Sequence, residues 1–168
     1  QRQMCIRDST KTDPVVETKA GKLRGFQLDG TYVFHGVKYA DAKRFHQPTP
    51  VEPWEGIKNA LAYGYVCPML QQDQPSNELM VPHRYWPLDE NCQYLNIWTQ
   101  HLDPNAKKPV LVWLHGGGFA AGSSIEHIAY EGENMSKYGD VVVISLNHRL
   151  NILGYLDLSP FGEEYKNS

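Results

Sequence analysis

Three consecutive glycines, Gly116, Gly117 and Gly118, stand behind the apolar run Val110 to Leu114, with His115 before them and Phe119 after. Glycine has no Cβ, so such a stretch reaches backbone conformations closed to other residues and can bring its N–H groups against a bound molecule. Bare amides at the end of a rigid strand stabilise negative charge developing on an oxygen, which is the chemistry of an oxyanion hole. The plain alternative is a glycine turn after a strand. His115 either positions the loop through a hydrogen bond from one ring nitrogen or is a structural histidine.

Acyl transfer also needs a nucleophile and a base. The common nucleophile turn is G-x-S-x-G, and none of the eight serines lies in it; Gly122-Ser123-Ser124 comes nearest and lacks the second glycine. The chain therefore reads as half of an active site. A competing reading takes Gly116-x-Gly118-x-x-Ala121 as a relaxed dinucleotide fingerprint. It is weak, because residues 123–130 separate the glycines from any helix, and the next strand ends in Asn147-His148-Arg149 rather than a carboxylate. The seven histidines, His35, His46, His83, His101, His115, His127 and His148, show no paired metal-ligand spacing.

The elements that must hold the glycines are legible in the pattern. Val110 to Leu114 is a continuous apolar run, read as a strand buried on both faces, and Val141 to Leu146, with three consecutive valines, reads as a second apolar strand parallel to it. Between them Glu131 to Tyr138 reads as a short helix closed by Gly139, making a right-handed crossover. Gln93 to Thr99 alternates as a further strand. Val15 to Phe26, broken at Gly21, and Thr31 to Tyr39, after the Asp29-Gly30 turn, predict an antiparallel meander at the edge of the same sheet. Residues 40–90 hold most of the prolines and read as long loops. The fold class is α/β, with one domain expected for 168 residues. A net charge of −3 gives no reason to expect nucleic acid, and no apolar run is long enough to span a membrane. Residues 1–12, with Cys5, fit no periodic pattern and read as a non-native or disordered extension. They lack the apolar core of a signal peptide, which slightly favours a cytoplasmic location. Asn134-Met135-Ser136 is a glycosylation sequon inside the expected helix.

Residues 15–165 resemble the type-B carboxylesterase and cholinesterase family of α/β-hydrolases. Three motifs carry the resemblance: His115-Gly116-Gly117-Gly118-Phe119 with Ala121-Gly122 behind it, Glu90-Asn91-Cys92-Gln93-Tyr94-Leu95-Asn96, and Val141 to Leu150 ending Asn147-His148-Arg149-Leu150. The second departs from the family's Glu-Asp-Cys-Leu at Asn91 and Gln93. The third has His148 where the family commonly has tyrosine. Val33 to Ala40 with Arg44-Phe45 is a weaker match.

The resemblance implies that residues 13–168 are the N-terminal portion of an α/β-hydrolase domain, truncated before the nucleophile, with serine, acid and histidine all beyond Ser168. It implies that the amides of Gly117 and Gly118 hold the oxyanion, that Gly116 shapes the turn beside the substrate, and that Phe119 lines the acyl side of the pocket unless it is core. Cys67 and Cys92 often correspond to a disulfide in the family and would be thiols in a reducing compartment. Arg44 and Glu90 match an ion pair that stabilises the fold, and a buried pair of that kind is costly to break. Arg149 likewise reads as structural. Trp54, Tyr85 and Trp86 lie near the Cys67–Cys92 loop and either face substrate or belong to the core. The function implied is serine carboxylesterase, hydrolysing a small-molecule carboxylic ester through an acyl-enzyme, with no cofactor. The alternative is a catalytically dead relative used for binding or adhesion. Lacking the strand that follows, the Val110 to Leu114 sheet would keep an open apolar edge.

Overall fold

A computed structural model describes residues 13–69, 84 and 86–166. In chain order its strands are β1 (Val15–Glu17), β2 (Lys22–Arg24), β3 (Phe26–Leu28), β4 (Thr31–Lys38), β5 (Ala40–Asp41), β6 (Thr49–Pro50), β7 (Ile57–Asn59), β8 (Tyr94–Thr99), β9 (Val110–Leu114) and β10 (Val142–Leu146). Two helices, α1 (Glu133–Gly139) and α2 (Asn151–Tyr155), lie on either side of β10 in sequence. No helix among the described residues is long and apolar enough to cross a membrane. The expectations about residues 1–12 and Tyr85 lie outside the described residues.

The central sheet has the order β3-β4-β8-β10-β9, antiparallel except for the parallel pair β9–β10. Alternation along the strands divides the core between its two faces. Phe34 packs with Leu23 and Ala60, and with Ile97, on one face; Val33 packs with Trp98 and Val143 on the other. β4 bulges between Phe34 and Val37, where Gly36 takes φ 63 and a Cβ would sit 2.4 Å from the Ala62 carbonyl. α1 begins after Gly132, whose missing side chain lets the helix start lie against Val143 and Trp98. Its C-terminus is closed by Asp140 in the left-handed conformation (φ 49), one residue beyond the expected Gly139. The sequon falls inside α1, with Ser136 fully buried.

Three expectations need correction. The meander is divided: β1 and β2 leave the central sheet and form a smaller one with β7, which runs parallel to β2, while β3 and β4 stay at the edge of the large sheet. β9 forms where the apolar run placed it, but it is not buried on both faces. It is the last strand of its sheet, with Val112 at 51% and Leu114 at 64% exposure. The apolar run reported the strand correctly, and the open edge follows from the absence of a neighbour beyond it among the described residues. The Arg44–Glu90 pair forms with two hydrogen bonds, Arg44 Nε donating to Oε2 at 2.7 Å and Nη2 to Oε1. Arg44 is 63% exposed, so water screens the pair and it is not the buried, costly kind.

Asn91, one of the two departures, has a local explanation. Its Oδ1 accepts from Ala42 N–H at 3.1 Å, and its Nδ2 donates to Asp41 Oδ1 at 3.0 Å. A carboxylate could not make the second bond and would repel Asp41. Trp54 donates Nε1–H to Lys22 O at 3.1 Å, and Trp86 donates to Tyr63 O at 3.2 Å. Both are packing residues in this fold.

His35 is the most perturbed base of the core. It stacks on Tyr63 with ring centroids 4.1 Å apart and meets the edges of Phe26 and Trp98, and its Nε2 has no partner. Burial, with the Arg84 charge adding to it, pushes its pKa down to about 3. The folded state therefore keeps His35 neutral, while the unfolded chain takes up a proton below its ordinary value of 6.5. Stability conferred by the neutral ring is complete above that value and falls as pH drops toward 3, by about 1.4 kcal/mol per unit. Urea denaturation at pH 7 and pH 5 tests this: His35→Phe should lose less stability on acidification than the parent, and equal losses would contradict the assignment.

Candidate active site

The glycine loop begins where β9 ends. His115 Nδ1–H donates to the Gly116 carbonyl at 2.7 Å, so that nitrogen carries the proton. The Gly117 carbonyl accepts from Ala120 N–H and Ala121 N–H, both at 3.1 Å. The Phe119 carbonyl accepts from Asn151 N–H at 2.7 Å, at the start of α2. The N–H groups of Gly117 and Gly118, by contrast, have no acceptor among the described residues. The carbonyls of Gly116, Gly117 and Phe119 are taken up, while the amides of Gly117 and Gly118 are left open. Open amides of this kind are suited to receive negative charge.

Backbone shape explains why glycine stands here. Gly117, Gly118, Phe119 and Gly122 have φ values of 121, 61, 63 and 98. The three neighbouring glycines are not equivalent. Gly116 has an ordinary φ and open space at its Cβ; Gly117 lies against the Ala121 backbone, where a Cβ would be 2.0 Å from the carbonyl oxygen; Gly118 has open space around it. Gly122 makes room for the histidine contact, since a Cβ there would sit 2.5 Å from Gly116 O and 2.8 Å from His115 Nδ1. Phe119 is a non-glycine residue held left-handed, a strained conformation of the kind that gathers at functional loops.

The far end of the loop is tied to the middle of the sheet by buried amides. Asn96 of β8 accepts from Gly36 N–H at 3.0 Å through Oδ1, and its Nδ2 lies 3.3 Å from both Ser124 Oγ and Ser145 Oγ. Asn147 Oδ1 accepts from Ser124 N–H at 2.8 Å, and its Nδ2 donates to Tyr65 O at 3.1 Å. Tyr39 O–H donates to Asn147 O at 2.8 Å; burial holds this phenol protonated by pushing its pKa up to about 12. These asparagines were not picked out as site residues from the sequence. The signal was present, an amide inside the apolar strand Leu95-Asn96-Ile97 and another ending Val142 to Leu146.

A cleft of roughly 570 Å³ opens beside the loop. Gly116, Gly118 and Phe119 line it together with Tyr39, His115 and His148, whereas Gly117 contributes no wall. Phe119 is not core: it is 68% exposed and meets the Tyr155 ring edge-on at 5.1 Å. Neither Trp54 nor Trp86 lines the cleft. Gln93, the second departure, does line it, buried and with no protein partner for either amide atom. Burial holds His115 below the ordinary histidine pKa; the Gly116 carbonyl opposes this and the His148 ring adds to it. The imidazole stays neutral and leaves the charge of the loop to its amides.

Cys67 and Cys92 are buried, free thiols in contact with each other. The Cys92 thiol donates to Cys67, which raises Cys92 and lowers Cys67, and Leu150 N–H donates to Cys67 Sγ at 3.1 Å. Arg149 donates to His46 O at 2.8 Å and to Lys43 O at 3.4 Å. Its task is to hold that loop. The dinucleotide reading fails on geometry, because the glycines do not open a helix and α1 starts only at Glu133.

This arrangement has known counterparts. Residues 12–164 match the model of the Carboxylesterase family, and the chain belongs to that family. It is 36% identical over 162 residues to the para-nitrobenzyl esterase of Bacillus subtilis (strain 168), covering 94% of this chain and 32% of that protein. It is 41% identical over 150 residues to the phenmedipham hydrolase of Pseudarthrobacter oxydans, covering 86% of this chain and 30% of that protein. Among solved structures, an esterase from anaerobic Clostridium hathewayi, described as able to hydrolyse aliphatic aromatic polyesters, superposes with a TM-score of 0.88 at 68% identity over 92% of this chain and 31% of that one. The chain thus spans less than a third of the length of these relatives, and its mixed sheet is part of an α/β-hydrolase fold.

The geometry separates the glycines. Gly118→Ala adds only the strain of a left-handed residue, about 1–2 kcal/mol, while Gly122→Ala also drives a methyl into the His115–Gly116 contact. Thermal melts of both variants in the full-length protein should show the larger loss for Gly122→Ala; the reverse order would contradict this description.

Proposed function

We propose that this chain is the N-terminal portion of a serine carboxylesterase in which Gly117 and Gly118 form two donors of the oxyanion hole. What carries the reading is the pair of unpartnered amides at the end of β9, beside a cleft walled by Leu114, Leu146, Leu150, Phe119 and Tyr155. A serine supplied by the chain beyond residue 168 attacks the ester carbonyl, and the carbonyl oxygen becomes an alkoxide held by the two N–H groups. Collapse expels the alcohol and leaves an acyl-enzyme, and water repeats the sequence to release the acid. Each well-placed donor contributes about 2.7–4 kcal/mol to the transition state. Gly116 turns the loop and Phe119 meets the acyl group. No cofactor enters this chemistry.

The substrate class is a small carboxylic ester with an apolar or aromatic acyl part. The open, aromatic mouth formed by Phe119 and Tyr155 supports this, and so does the aliphatic aromatic polyester activity described for the Clostridium hathewayi relative. In an oxidising compartment the touching thiols of Cys67 and Cys92 would close as a disulfide; in a reducing one they stay as they are.

The test uses p-nitrophenyl butyrate. The full-length protein should hydrolyse it, and Gly118→Val, a β-branched residue that cannot hold φ 61, should lower kcat by about 10²–10³, the loss expected for one donor. Residues 1–168 alone should show no turnover above that of their own Gly118→Val variant. Activity in the isolated chain would place the nucleophile within it and overturn the division proposed. A full-length protein with no serine at its nucleophile turn and no turnover would favour the binding or adhesion alternative.

A further inference from the structure

We propose that His148 is a positioning residue for the oxyanion hole, acting through His115; this rests on the reading of the glycine loop given above. The observation is a stack of two imidazoles on the wall of the cleft. The rings of His115 and His148 lie 13° from parallel with centroids 4.9 Å apart. Each has its Nδ1–H fixed on a backbone carbonyl, His115 on Gly116 O at 2.7 Å and His148 on Arg149 O at 2.9 Å.

His148 is rigidly mounted. On one side of it Asn147 N–H donates to Tyr94 O at 2.8 Å and Asn147 O receives Tyr39 O–H at 2.8 Å; on the other, Leu150 N–H donates to Cys67 Sγ at 3.1 Å. Arg149 is held by its own bonds to Lys43 and His46. His115 has no such framing. It lies at the end of an exposed edge strand, where the Gly116 carbonyl fixes one ring nitrogen and Gly122 lies beside it, and the flat face of the ring is covered by His148.

Peptide geometry carries the effect to the reacting centre. The Gly116 carbonyl and the Gly117 N–H are opposite ends of one planar trans peptide. A ring that holds the carbonyl therefore sets the direction of the amide. If His115 swings, the Gly116–Gly117 peptide is free to rotate between glycines, and one donor leaves its aim. Displacements of about 1 Å in such groups can cost about a hundredfold in rate. Loss of the stack loosens the donor without removing it, so a smaller effect is expected. His148 acts here as a flat surface, so an aromatic replacement should serve.

The experiment compares His148→Ala and His148→Phe in the full-length protein, with Gly118→Val alongside, using p-nitrophenyl butyrate and a trifluoromethyl ketone as transition-state analogue. His148→Ala should lower kcat roughly tenfold and weaken the ketone by a similar factor, with KM within about twofold. His148→Phe should restore most of both. The proposal is overturned if His148→Ala leaves kcat within about twofold of the parent, if KM rises in step with the loss so that His148 contacts substrate directly, or if His148→Phe is as impaired as His148→Ala. If the parent is active and Gly118→Val is as active as the parent, the glycine-loop reading itself fails, and this proposal with it.

Discussion

The buried carboxamide of Asn96 is the contact on which the arrangement depends. It sits in the middle of β8 and joins the bulge of β4 through Gly36, the neighbouring strand through Ser145, and the segment behind the glycines through Ser124. Asn147 adds a second tie to the same segment by accepting from Ser124 N–H. One end of the glycine loop is therefore the terminus of a strand, and the other is fastened to the centre of the sheet. The residues between are held at both ends without using the amides of Gly117 and Gly118. Leaving buried amides of this kind without partners costs about 1–3 kcal/mol each, so the network tolerates little change in its members. Such a network orients a loop more sharply than apolar packing, because its bonds have direction.

The loop's hydrogen bonds take up the carbonyls of Gly116, Gly117 and Phe119. His115, Ala120, Ala121 and Asn151 are the donors, and the N–H groups of Gly117 and Gly118 are left over among the described residues. Glycine at 117 and 122 makes this possible for different reasons, close approach to Ala121 in one case and room for the histidine contact in the other. The strained Phe119 follows from the same requirement, since the chain must turn left-handed to deliver its carbonyl to α2. The polarity that the proposed oxyanion site needs thus comes from hydrogen bonding already present in the fold.

Much of this was legible in the sequence. Apolar runs marked β9 and β10, alternation marked β4 and β8, and the triple glycine marked a loop of unusual backbone. What pattern could not reveal was partnership. An apolar run says that a strand wants cover, and says nothing of whether a neighbour supplies it; the open edge of β9 followed from the missing next strand, whereas the run by itself read as a strand covered on both faces. β1 and β2 have the alternation of a meander, but their allegiance to β7 depends on a contact more than thirty residues away in sequence. The exposure of Arg44 is equally a matter of what surrounds it. The unequal tasks of Gly116, Gly117 and Gly118 rest on a clash with Ala121 that no composition reports. Asn96 and His148 stood within quoted motifs, yet their roles arise only when separate motifs meet.

The most direct test of the whole account is a crystal structure of the full-length protein inhibited by a phosphonate ester, in which the nucleophile bears a tetrahedral phosphorus. One phosphonyl oxygen should lie about 2.7–3.1 Å from the amide nitrogens of both Gly117 and Gly118, with the His115–Gly116 bond intact beneath it. An oxygen directed elsewhere, with those two amides paired to protein acceptors, would contradict it.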